Sequence, residues 1–81
     1  MTVTIDDIKT VVCLQLGLKQ VHEDDQLIEA LGAESADVVN IVAALEEKYR
    51  ISIAEETLPT LRSVADLYEL VQQCLSPKSK P

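Results

Sequence analysis

The chain has 81 residues with a formal charge of −7, and 47% of it is apolar although it contains neither phenylalanine nor tryptophan. That length allows one small domain built around a light Leu, Ile, Val and Ala core, with little room for a deep catalytic cleft. Ten acids against two bases between Glu23 and Glu56, a net of −8, disfavour nucleic acid and anionic lipid as partners and favour a basic protein surface.

The N-terminal "MTVTIDDIKT" has two acids and no long apolar run, so neither a secretory signal nor a membrane span is expected, and a cytoplasmic location follows. From there Ile5, Ile8, Val12 and Leu16 recur at spacings of three and four, which predicts a first helix. Thr4 is its expected cap, Asp6 and Asp7 suit its positive end, and Gly17 is its expected stop. The segment "LKQVHEDDQLIEALGAE" predicts a long acidic loop pinned to the core by Val21, Leu27, Ile28 and Leu31. Gly32 near its end permits a turn with positive φ or a close approach to the backbone.

A second helix is expected from Ser35 to Tyr49, with Val38, Val42, Leu45 and Tyr49 inward and Asp37, Asn40, Glu47 and Lys48 toward solvent. Ser35 at its mouth is a natural cap, since a serine hydroxyl can accept from a first-turn N–H. Ile51, Ile53, Leu58 and Leu61 anchor the next stretch, where Pro59 limits any helix to a short turn. Ser63, with Asp66 three residues on, opens a last helix striped by Val64, Leu67, Leu70 and Val71. Residues 1–75 thus form an all-α domain of three main helices and a short fourth segment, and "SPKSKP", residues 76–81, reads as a disordered tail.

The inventory for catalysis is thin. His22 is the only histidine, and "HEDD" lacks the glycine and ligand spacing of a calcium loop, so no metal site and no catalytic residue is expected. Cys13 and Cys74, on different helices with no Cys-x-x-Cys spacing, read as free thiols packed as small apolar residues. Ser35 keeps a chemical reading of its own. A phosphodiester on its hydroxyl would face the positive end of a helix and the free N–H groups there.

The run "LGAESADVVNIVAALEEKYRISIAEETLPTLRSVADLYELV", Leu31 to Val71, resembles the acyl carrier proteins. Their pattern is Leu-Gly-(small)-Asp-Ser-Leu-Asp, then a hydrophobic helix ending in Ala-Leu-Glu-Glu and an aromatic residue, an Ile-x-Ile-like step with two acids, and a Ser/Thr-Val that opens the final helix. The resemblance implies a four-helix bundle with a short third helix and a long loop between helices one and two. It also implies that Ser35 receives 4′-phosphopantetheine from coenzyme A through a phosphopantetheinyl transferase. The arm's thiol would carry acyl groups as thioesters in fatty-acid, lipid or specialised acyl biosynthesis. Acyl-loading, acyl-modifying and acyl-transfer enzymes with basic patches would dock on Glu34, Ala36, Asp37, Asn40, Glu46 and Glu47, and the carrier itself would be a non-catalytic monomer.

Four positions depart from the family pattern. Glu34-Ser35-Ala36 replaces Asp-Ser-Leu, Asn40 stands where an acid is common, and Ala43 where a larger apolar residue is frequent. Burying a leucine-sized side chain is worth roughly 1.5–3 kcal/mol, most of which an alanine forfeits, so the pattern points to a specialised carrier, with ordinary divergence in a housekeeping carrier as the alternative. The competing readings are an unmodified acidic interaction subunit of the same fold, an aminoacyl or peptidyl carrier, for which "LGAES" lacks the usual Leu-Gly-Gly-x-Ser, and a hydrolase pairing Ser35 with His22.

Overall fold

The computed structural model describes residues 3–75, so the expected tail at 76–81 lies outside the described residues. Three α-helices, α1 (Ile5–Leu16), α2 (Ser35–Tyr49) and α3 (Val64–Leu75), are joined by a 3₁₀ helix (Glu55–Thr60) between the last two. Helix α1 lies against both of the others, while α2 and α3 meet each other more sparsely. The wholly buried side chains Ile8, Val12, Leu27, Ile41, Leu45, Val64, Leu67 and Val71 fill the space between them. This is the aliphatic core that the composition demands.

Each end of the bundle has a local cause. The Thr4 hydroxyl accepts from the Asp7 N–H at 3.2 Å and the Asp7 carboxylate accepts from the Thr4 N–H at 3.0 Å, so two donors left over at the start of α1 are satisfied reciprocally. Gly17, at φ 70°, ends the helix in the left-handed conformation that glycine adopts without strain. Ser63 and Asp66 repeat the opening device on α3: the Ser63 Oγ accepts from the Asp66 N–H at 3.2 Å. The Asp66 carboxylate accepts from both the Arg62 and Ser63 N–H groups, at 2.9 and 3.1 Å. Asp66→Ala should therefore lower stability by about 1–2 kcal/mol, read as a fall in the urea midpoint without a change in slope.

The long loop is more structured than its composition indicates. The Leu27 N–H donates to the Arg62 carbonyl at 2.8 Å, the Val64 N–H to the Asp25 carbonyl at 3.2 Å, and the Ala65 N–H to the Glu23 carbonyl at 2.8 Å, so the loop is laced to the start of α3. Gln26 and Ser63 pair there as an isolated antiparallel bridge. Val21 and Leu27 are buried and Leu31 half-buried, as pins should be. Ile28 is not: it is 52% exposed. The Ala30 and Leu31 N–H groups both donate to the Gln26 carbonyl, winding the segment into a helix-like turn. In such a turn residues four apart share a face, so Leu27 and Leu31 go inward and Ile28 is carried outward.

Cys74 also departs from expectation, for it is exposed, whereas Cys13 is half-buried against the core, and both thiols are free. At the last turn of α3 the inner position falls to the half-buried Leu75. Tyr49 closes the inner face of α2 with its hydroxyl buried and without a hydrogen-bond partner. Burial, and secondarily the charge of Asp7, raise its pKa above the ordinary 10.0. In alkali the unfolded chain thus gives up this proton before the folded one does, so Tyr49's contribution is intact below pH 10 and is lost as the pH climbs beyond. Tyr49→Phe removes the orphaned hydroxyl. It should leave stability at neutral pH level or raise it by about 1 kcal/mol, and should flatten the fall above pH 10 in thermal melts taken across pH.

Candidate functional site

Ser35 is the first residue of α2, and the residue before it, Glu34, holds the capping position with extended backbone at φ −99°, ψ 170°. The Glu34 N–H donates to the Asp37 carboxylate at 2.9 Å, and the Glu34 carbonyl accepts from Val38 at 3.1 Å to begin the helical ladder. The expectation that Ser35 caps the helix is thus corrected. Its side chain is exposed, and its hydroxyl makes no hydrogen bond among the described residues.

The approach to Ser35 is fixed by the two residues before Glu34. Gly32 has φ 76°, and a Cβ built on it would touch nothing within 4 Å, so it is the left-handed backbone and not a close contact that calls for glycine. Ala33 is buried and its N–H donates to the Leu27 carbonyl at 2.9 Å, which turns the chain back on the loop and aims the next residues outward.

A cavity of about 770 Å³ opens to solvent beside Ser35. Its floor is apolar, from Val38 and Val39 of α2, Ile28 of the loop, and Leu58 and Leu61 on either side of the 3₁₀ helix end, while Gln26, Glu29 and Arg62 stand among its lining residues. Val39 is 49% exposed there, off the buried stripe of its helix. Sequence patterning gave Val39 and Arg62 no role. The available signal was that Val39 is an apolar residue on the polar face of α2.

The six residues expected to dock partners divide by geometry. Glu34, Ala36, Asn40 and Glu47 are exposed along the outer side of α2. Asp37 is half-buried with one carboxylate oxygen on the Glu34 N–H, and Glu46 is half-buried with its carboxylate accepting from the Ile53 N–H at 2.7 Å. Both of these acids therefore hold backbone as well as carrying charge. His22 is exposed and is not among the residues lining the Ser35 cavity; its N–H donates to the Asp25 carboxylate at 2.8 Å, so Asp25 serves the loop. Among the described residues no three His, Cys, Asp or Glu side chains gather as a metal site would require. No described helix is long and apolar enough to cross a membrane.

The site can do one thing well. An exposed oxygen nucleophile at the N-terminus of a 15-residue helix lies where an attached phosphate meets unpaired N–H groups and the positive end of the helix dipole. The adjoining apolar groove offers room for what that phosphate bears.

Comparison with known proteins agrees with that chemistry. The family profile described as "Phosphopantetheine attachment site" matches residues 6–71. The acyl carrier protein of Wolinella succinogenes is 42% identical over 69 residues, which cover 83% of this chain and 91% of that protein. Among solved structures, the acyl carrier protein of Thermotoga maritima superposes with a TM-score of 0.75 at 29% identity, covering 88% of this chain and 85% of that one. A chain from the structure of the ishigamide ketosynthase/chain length factor gives 0.71 at 26% identity, covering 86% of this chain and 90% of its own. The sequence match over nearly the whole described domain, with the same helical architecture, shows that the chain belongs to the acyl carrier proteins, the phosphopantetheine-bearing carriers of acyl groups.

Proposed function

We propose that Ser35 is the attachment point of 4′-phosphopantetheine and that the loaded protein presents acyl groups to partner enzymes without catalysing their chemistry itself. The observation that carries this reading is the free, exposed hydroxyl of Ser35 at the head of α2. Its Oγ forms the new bond to phosphorus as the pyrophosphate linkage of coenzyme A breaks; adenosine 3′,5′-bisphosphate leaves, and the hydroxyl proton passes to a base on the transferase. The resulting phosphodiester lies against the first-turn N–H groups of α2. When bound, the arm supplies a terminal thiol that holds acyl groups as thioesters.

The partners are a phosphopantetheinyl transferase and acyl-loading, acyl-modifying and acyl-transfer enzymes whose basic patches meet Glu34, Asp37, Glu46 and Glu47, with Ala36 and Asn40 in the same face. The carrier acts as a monomer in the cytoplasm. Ala36, Asn40 and Ala43 trim this face relative to the common pattern, which supports service in a dedicated pathway. The test is the intact mass after incubation with coenzyme A and a broad-specificity transferase. A gain of one phosphopantetheine is expected. No gain with any of several transferases would leave the protein as an unmodified interaction subunit.

A further inference from the structure

Among the described residues, Arg62 is the only basic one that lines the groove beside Ser35. It is exposed, and its guanidinium makes no hydrogen bond or ion pair with any described residue, not even with Glu29, which lines the same groove. Its backbone, by contrast, is held from both sides. The Arg62 N–H donates to the Asp66 carboxylate at 2.9 Å, and the Arg62 carbonyl accepts from the Leu27 N–H at 2.8 Å. An unpartnered cation on a fixed backbone is available to any anion that arrives in the groove, and it surrenders only side-chain freedom on meeting one.

Modification brings such an anion. Ser35 follows Glu34 directly and stands two residues before Asp37, so a phosphodiester there adds a further negative charge beside two carboxylates, with Glu29 also in the groove. Like charges placed close together raise one another's energy, and the one basic side chain of the groove is the group that can offset them. We propose that Arg62 is a positioning residue for the prosthetic arm: its guanidinium donates to the non-bridging oxygens of the phosphodiester on Ser35 and holds the root of the arm at the groove. This rests on the reading of Ser35 as the modified residue. The planar guanidinium presents paired N–H donors that match two oxygens of one phosphate, whereas a lysine ammonium acts as a point charge. The root of the arm is thereby tied to the segment that opens α3, and the arm sets out along the groove rather than away from it.

The test compares loaded and unloaded forms of the wild type, Arg62→Gln, Arg62→Lys and Lys19→Gln, with loading by a broad-specificity transferase verified by intact mass. In nitrogen-edited NMR spectra of the wild type, the Arg62 Nε–H resonance should shift on loading. The shift should shrink in about 1 M salt, where the screening length falls to roughly 3 Å. The change in thermal midpoint that loading produces should become less favourable in Arg62→Gln, by at least about half of any rise, with Arg62→Lys between it and the wild type. Lys19, exposed but not lining the groove, should give the wild-type response as Lys19→Gln. All unloaded forms should melt alike, because the backbone bonds of residue 62 survive these substitutions. A purely structural role for Arg62 would move loaded and unloaded midpoints together and would overturn the proposal. So would an Arg62 resonance that stays still on loading, or one that moves only after an acyl group with a terminal carboxylate is attached, which would assign the guanidinium to the cargo. Absence of any mass gain would remove the reading of Ser35 and this inference with it, whereas loading without a response at Arg62 would remove this inference alone.

Discussion

Ser35→Ala should abolish the gain of phosphopantetheine completely while moving the urea midpoint by no more than about 0.5 kcal/mol equivalent, the ordinary range for a surface substitution away from caps and cores. The two halves of this expectation come from one feature. A serine that capped α2 would cost about 1 kcal/mol on truncation, but here Glu34 occupies the capping position and the Asp37 carboxylate holds the Glu34 N–H at 2.9 Å. Truncating Ser35 removes a hydroxyl that bonds to nothing in the described fold. Intact mass after transferase treatment and a denaturant titration of the same two samples check both halves. Residual loading in the variant would place the attachment elsewhere, and a loss of 2 kcal/mol or so would mean that the hydroxyl has a structural role.

Leu27→Ala should have the largest effect on stability among loop substitutions, about 2–5 kcal/mol, in a domain whose total stability is of the order of 5–15 kcal/mol. Leu27 lies in no helix, yet its side chain has no exposure to solvent. Its N–H binds the Arg62 carbonyl at 2.8 Å and its carbonyl binds the Ala33 N–H at 2.9 Å, so one residue joins the loop to the head of α3 and to the approach to Ser35. Removing the side chain leaves a cavity between these segments, and the two hydrogen bonds loosen with it. Thermal melts should show the loss of stability, and hydrogen exchange should accelerate first at the Leu27 and Ala33 amides. Ile28→Ala, one residue along but half-exposed, should change the midpoint by less than about 0.5 kcal/mol. Equal effects at the two positions would contradict the inward and outward assignment.

What the sequence disclosed, and what it withheld, follows from the range of the interactions involved. Helix α1 was legible from Ile5, Ile8, Val12 and Leu16 with Thr4 before them, and α3 from Ser63 and Asp66, because caps and stripes act within one or two turns. The family was legible from residues matching in order and spacing across Leu31 to Val71. The span of α2, Ser35 to Tyr49, was legible from its stripe, but its cap was not: serine caps so often that Ser35 took the role, although Glu34 and Asp37, three apart, carried the competing signal. The direction of Ile28 depends on a turn closed by hydrogen bonds to Gln26, and the groove beside Ser35 depends on Leu58, Leu61 and Arg62 returning from far along the chain. Neither leaves a local pattern. Ile41 lay within reach: it falls three after Val38 and four before Leu45, on the stripe already drawn, and it is wholly buried.

The division of labour at the head of α2 has a consequence for the protein's lifetime in a cell. Since Glu34 and Asp37 set the helix start and the Ser35 hydroxyl takes no part, the unmodified chain needs nothing at Ser35 in order to fold. A phosphate added there faces the first-turn N–H groups and the positive end of α2, so modification adds roughly 0.3–1 kcal/mol to a fold that is already complete. Degradation that tracks transient opening then spares the modified form, and a fall in coenzyme A supply would lower both the number of charged molecules and the number that exist.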